Sequence, residues 1–152
     1  MKFLSLSISI LWLALAGPSA PKTPSFKGTW LLSVLKSDFS PANHPKKMTL
    51  KIKQDRAGMR VSTELTDGLA YHSFNATYTF DGAENENLQD GITVKSSREW
   101  DGVKLDFSVK RGMTLQFKEA WALSSDGKTL TIYRHTIFAD GEVNEKYVFE
   151  EQ

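Results

Sequence analysis

Alternate residues of a β-strand share a face, so a charged residue in step with apolar ones is carried toward a core. Four residues of this sequence stand in that position. Arg98 follows Ile92, Val94 and Ser96 and precedes Trp100, and Glu119 falls among Met113, Leu115, Phe117, Trp121 and Leu123. Arg134 falls among Leu130, Ile132, Thr136 and Phe138, and Glu145 among Val143, Tyr147 and Phe149. An unpaired buried charge costs several kcal/mol, so each must pair or meet a ligand. Two chemistries follow. In one, two arginines and two glutamates neutralise each other in an internal ion-pair network. In the other, Arg98 and Glu119, with Thr63 and Tyr71 as neighbours, orient the polar end of a ligand in a mostly apolar cavity. The candidate ligand-binding set is Arg98, Glu119, Trp121, Arg134, Tyr71, Phe107 and Phe117. A bulge would shift a strand's phase by one residue and return its charge to solvent.

Other chemistries find little footing. His44 lies in a proline-rich loop, His72 is in phase with Phe74, Tyr78 and Phe80, and His135 is out of phase with Arg134. No His-x-His, His-Glu-x-x-His or calcium-loop spacing occurs, so neither a metal nor another cofactor is expected. Asp81, Glu84, Glu86 and Asp90 lack alternating ligand spacing and read as a solvated hairpin loop. There is no Gly-x-Ser-x-Gly and no phosphate-cradling glycine loop. With no cysteine, a thiol nucleophile and disulfides are excluded. The expectation is a protein that is not an enzyme.

The elements that position these residues are short strands. Asp67-Gly68, Asp81-Gly82, Asp90-Gly91, Asp101-Gly102, Asp126-Gly127 and Asp140-Gly141 are hairpin signals, because the turn needs a positive φ. Between them runs period-two alternation, clearest in Val103-Lys104-Leu105-Asp106-Phe107-Ser108-Val109. The other strands expected are Thr29–Lys36, Thr49–Lys53, Met59–Leu65, Tyr71–Phe80, Ile92–Trp100, Met113–Leu123, Leu130–Phe138 and Val143–Phe149. No apolar stripe of period 3.6 is long enough for a helix, and Ser37–Lys47, with Pro41 and Pro45, is a loop. The fold expected over residues 21–152 is all-β, an up-and-down antiparallel barrel of about eight or nine strands.

The 152 residues suit one domain with a single core. Met1-Lys2 and the apolar run Phe3–Leu15 read as a signal peptide over residues 1–20, cleaved after Ala16 or Ala20. The run is too short to anchor the chain in a bilayer. Its removal takes Lys2 and leaves 18 basic against 18 acidic residues, which gives no support to a nucleic-acid partner. Export without disulfides favours a periplasmic or secreted bacterial protein.

Phe26-Lys27-Gly28-Thr29-Trp30-Leu31-Leu32 resembles the Gly-x-Trp opening strand of the calycins, which include lipocalins, fatty-acid-binding proteins and avidins. Glu119-Ala120-Trp121-Ala122-Leu123-Ser124, with Asp126-Gly127-Lys128-Thr129-Leu130, resembles small exported bacterial lipocalin-like proteins. The resemblance implies that Gly28 and Trp30 close one end of the barrel and that a late basic residue, Arg134, packs over the indole. Fatty-acid-binding proteins carry two helices after the first strand, for which Ser37–Lys47 is too short.

The function expected is to hold a small hydrophobic or amphipathic molecule inside the barrel, entering opposite Trp30 past the loops Ser37–Lys47 and Ala83–Asp90. The alternative is a protein-interaction module, an envelope factor or an inhibitor of a secreted enzyme, with a filled core and outward Tyr133 and Ile137 as contacts. A third reading is a barrel enzyme with a perturbed acid or His in its cavity. Trp30, Phe107, Phe117, Trp121, Phe138, Tyr147 and Phe149 either fill the interior or line it; alternation does not tell the two apart.

Overall fold

The computed structural model describes residues 23–40, 44–112 and 115–152. The expected signal peptide and its two cleavage sites, as well as Pro41 and Met113, lie outside them. Ten strands form one antiparallel sheet: β1 (Gly28–Leu32), β2 (Lys47–Gln54), β3 (Gly58–Thr66), β4 (Tyr71–Thr79), β5 (Asn85–Gln89), β6 (Ile92–Asp101), β7 (Lys104–Arg111), β8 (Leu115–Leu123), β9 (Thr129–Phe138) and β10 (Gly141–Glu151). Each bonds to its sequence neighbour except β4 to β5, and one further pairing closes the sheet. β1 closes onto β10, pairing Trp30 with Glu151 and Leu32 with Phe149. β4 and β5 lie side by side without a backbone ladder, so the barrel is nearly, not fully, closed.

The count is therefore ten rather than eight or nine. The strand that alternation missed is Asn85–Gln89, expected as part of a solvated loop. Its inward positions are Asn85, Asn87 and Gln89, all polar, so no apolar phase betrays it. The segment Ala83–Asp90 is not a loop over the entrance: Asn85–Gln89 climbs the wall from the closed end, and only its last residues, Gln89 and Asp90, reach the open end. Elsewhere alternation is obeyed. Along β7, Leu105, Phe107 and Val109 are buried, and Lys104, Asp106, Ser108 and Lys110 are exposed. Gly102, at φ +60°, supplies the left-handed residue of the β6–β7 turn.

One end of the barrel is sealed by aromatic packing. The Trp30 indole Nε1 donates to the Phe26 carbonyl at 2.8 Å. Gln54 accepts from the Phe26 N–H at 2.7 Å and donates to the Pro24 carbonyl at 3.1 Å, so the segment before β1 is tied across the base. The Phe26 ring stacks on Trp100 at 5.8 Å and meets Trp121 edge-on at 5.9 Å. Burying each such ring stabilises the fold by roughly 1.5–3 kcal/mol. At the other end a single 3-10 turn, Val34–Lys36, follows β1, and the chain is clipped to β10 by reciprocal Asp38–Lys146 backbone bonds of 2.8 Å. Phe39 then packs on Tyr147 at 5.1 Å and on His44 at 4.8 Å.

The β4–β5 seam is closed by side chains. Asn87 Oδ1 accepts from the Thr77 N–H at 2.8 Å while its Nδ2 donates to the Thr77 carbonyl at 3.1 Å. Asn85 Oδ1 accepts from the Thr79 N–H at 2.8 Å. Toward the open end, His72 Nδ1 lies 3.3 Å from Asp90 Oδ2. The amides thus stand in for a missing backbone ladder.

Two outcomes follow from this wall. Asn87→Ala should cost about 1 kcal/mol and selectively speed hydrogen exchange at Thr77, which unchanged Thr77 protection would contradict. A Cβ at Gly58 would overlap the Tyr78 carbonyl oxygen of β4, so Gly58→Ala should lower unfolding stability by about 1–3 kcal/mol in a urea titration.

Candidate functional site

Above the aromatic base the interior is not filled. A cavity of ≈ 100 Å³ remains, with Leu50, Val61, Val94, Val109 and Ile132 among its apolar lining. Thr63, Ser96, Arg98, Glu119 and Arg134 are its polar groups. Met48 on β2, Phe74 on β4, Gln89 on β5 and Phe117 on β8 line it toward the open end. A larger hollow of ≈ 330 Å³, over Lys95, Ser97, Ser108, Lys110 and Lys118, lies on the outer wall, away from these groups.

Glu119 organises the polar side. It stands opposite Arg134 on β9 and Phe107 on β7. Its Oε1 accepts from Arg134 Nε at 2.8 Å and Nη2 at 2.6 Å, and its Oε2 accepts from the Trp121 indole at 2.8 Å. Arg134 Nη1 donates to the Tyr147 hydroxyl at 3.3 Å, and that hydroxyl donates to Glu145 at 3.0 Å. Glu145 in turn accepts from the Ser40 N–H at 3.3 Å, linking the network to the loop after β1. Burial works against the Arg134 charge, but Glu119, Tyr147 and Glu145 outweigh it and raise its pKa. Burial pushes the Tyr147 hydroxyl up to about 12, so it remains a donor.

Arg98 is different. It is 2% exposed, its guanidinium carbon lies over the rings of Tyr78 and Phe107, and its Nη1 donates to Ser96 Oγ at 2.9 Å. Among the described residues no carboxylate lies within ion-pair distance of it, and its Nε is buried without a partner. Burial pulls its pKa down to about 9, against the opposing pull of Tyr78 and Glu119. It remains charged at neutral pH, in a site that does not neutralise it.

The structure brings together Arg98, Glu119, Trp121, Arg134, Phe107 and Phe117 from the candidate set, and Thr63 joins them. Tyr71 does not belong. It is 65% exposed on the outward phase of β4, while Tyr78, on the inward phase, takes the place beside Arg98. Arg134 does not cover Trp30: it lies four residues up β9 from Leu130, and its partners are Glu119 and Tyr147. Trp30 is capped by the Phe26 carbonyl, and Gly28 adopts φ +140° beside it. Phe138 is 45% exposed at the end of β9 and neither fills nor lines the barrel. Ser96 and Tyr78 were legible as inward residues; that both would meet Arg98 was not. Among the described residues no cluster of three His, Asp or Glu side chains could hold a metal.

Breaking the pair from one side leaves Arg134 uncompensated. Glu119→Gln should destabilise the fold by about 2–4 kcal/mol, the lower part of the range reflecting the partial exposure of Arg134. Glu119→Gln with Arg134→Met should recover much of that loss in urea unfolding. Strictly additive losses would show that the two groups do not act as a pair.

No family model matches the sequence. No curated protein matches it either. Solved structures do. A secretary abundant heat soluble protein from Ramazzottius varieornatus superposes with a TM-score of 0.65 at 14% identity, over 88% of this chain and 100% of that one. Zebrafish ileal bile acid-binding protein complexed with cholic acid gives 0.63 at 14% identity, over 84% and 98%. The fatty-acid-binding protein of Manduca sexta gives 0.57 at 15% identity, over 83% and 99%. The chain shares its antiparallel β-barrel fold with these proteins, and Gly28 and Trp30 stand at the closed base of that barrel.

Proposed function

We propose that the protein binds a small amphipathic molecule inside the barrel, its apolar part against Leu50, Val61 and Val109 and its polar end among Arg98, Ser96 and Thr63. The observation that carries this reading is the unfilled interior, where apolar walls converge on fixed polar groups. Small closed barrels have an interior wide enough for packed side chains or one small ligand, and here the base is packed while the middle is not. The fold supports the same reading, since the superposed structures include a bile acid-binding and a fatty-acid-binding protein. No catalytic step is assigned to the site, because both Glu119 oxygens are already engaged. On the leader pattern of residues 1–20, the proposed place of action is the periplasm or exterior of a bacterial cell.

A second reading, a protein-interaction module, draws on Tyr133 and Ile137, 53% and 43% exposed on the outer face of β9. Native mass spectrometry of protein purified from its own compartment separates the two. The first predicts a co-purifying small molecule lost on solvent extraction and reduced in Val61→Phe, which adds a ring to the cavity. A stoichiometric protein partner that persists in Val61→Phe, with no small molecule in any preparation, would replace it with the second.

A further inference from the structure

The outer wall carries a charge pattern that the barrel itself does not need. On the outward phase of β6–β10 the strand registers align side chains in rows across the wall. Toward the open end one row is Lys95, Lys110, Gln116, Ile137 and Glu142. Toward the base another is Glu99, Asp106, Ala120, Tyr133 and Lys146. Between them run Ser97, Ser108, Lys118, His135 and Asn144. The β6–β7 pair therefore sets like charges directly opposite each other twice, Lys95 against Lys110 and Glu99 against Asp106. Such opposition destabilises a sheet. Lys95 is relieved by Glu86 at 2.6 Å and Glu84 at 3.4 Å. Among the described residues Lys110, Glu99 and Asp106 have no ion-pair partner.

The two outer rows complement each other column by column. Lysine answers Glu99 and Asp106 on β6 and β7, Ile137 answers Tyr133 on β9, and Glu142 answers Lys146 on β10. A two-fold axis laid across the strands along the middle row brings the basal row of a second copy over the upper row of the first. An axis laid along the strands between β6 and β7 would instead put lysine on lysine, so the charges select the first orientation. It also joins Tyr133 and Ile137, the large apolar side chains exposed on the outward phase of β9. The middle row meets itself: serines face serines, His135 is held to its own wall by Asn144 at 2.8 Å, and the flexible stem of Lys118 carries its ammonium aside. Two hollows, of ≈ 330 and ≈ 440 Å³, adjoin at Ser108 and Lys118 and give long side chains of a facing wall room to enter.

We propose that this wall is a self-complementary dimer surface, on which two copies pack face to face with Lys110 of each meeting Asp106 of the other. Such an interface is isologous, the same patch serving both copies. Five columns about 4.8 Å apart and three rows about 6.8 Å apart cover at most roughly 500 Å² per copy. Twice that is about the lower limit for specific association, so the dimer is weak and reversible. It stands independently of what the barrel interior holds.

The test is sedimentation velocity of the purified protein. From about 10 µM to 1 mM it should show a reversible dimer, weakened about fivefold or more between about 50 mM and 0.5 M salt. Lys110→Glu and Asp106→Lys should each lower the association constant about tenfold, since each sets like charges together twice per dimer. Neither should melt earlier than wild type, because both side chains are exposed and Lys110→Glu removes the opposition to Lys95. Mixed in equal amounts, the two variants should associate again, every facing pair then being of opposite sign. Damage to the fold could not produce that rescue. Ile137→Ser should weaken the dimer about threefold and gives a reading that needs no charge change. Val61→Phe should dimerise as wild type does, so the outcome is separate from that of the interior-ligand reading. A monomer across the whole range at low salt overturns the proposal. Self-association that survives both charge substitutions, or two monomeric variants that do not associate on mixing, overturns it as well.

Discussion

Two guanidiniums enter the barrel, and one carboxylate is placed to meet them. Glu119 gives one oxygen to Arg134 and the other to the Trp121 indole, and everything about the polar half of the interior follows from that allocation. Trp121 is fixed at the top of the aromatic base, so the base and the ion pair are one construction. Arg134 is oriented toward Tyr147 and, through Glu145, toward the loop that follows β1. Arg98 is left to aromatic faces and a serine. A buried guanidinium without a direct counter-ion is costly to the folded state, and its retention marks a place where stability has been given up.

The same allocation explains why the interior is divided. Below Glu119, Phe26, Trp30, Trp100 and Trp121 fill the space, the Trp30 indole donating to the Phe26 carbonyl and the Trp121 indole to Glu119. Above it, aliphatic side chains such as Leu50, Val61 and Val109 stand among Phe74 and Phe117, and the space between them is not closed. The absence of cysteine removes covalent staples, so the tied segment Pro24–Phe26 and its glutamine partner carry the closure at the base.

Much of the wall could be read from alternation alone. The inward phases of β6, β7 and β8 were legible because each mixes bulky apolar residues with one conspicuous charge, as Arg98 does among Val94, Ser96 and Trp100. The barrel class and the position of Trp30 at its base were legible from the hairpin glycines and the Gly-x-Trp strand. β5 was not, because a strand whose inner residues are Asn85, Asn87 and Gln89 shows no hydrophobic period. Tyr71 was misplaced for a related reason: at the start of a strand, one residue of phase separates the outer surface from the core. Arg134 could be assigned inward but not given its partner, since which of two glutamates it meets depends on cross-strand register. Whether the aromatics fill or line the barrel turned on packing in three dimensions, and the answer is both, at different heights.

The asparagine-sealed seam has a meaning for the protein's company as well as its shape. A fully laddered barrel has no edge for another chain to copy, whereas a barrel slit along one line keeps two latent edges, β4 and β5. Here two amide side chains and one histidine–aspartate contact are what stand between those edges and a foreign strand. Loss of that clasp would turn a self-contained vessel into a sheet with two ends, open to joining end to end with copies of itself.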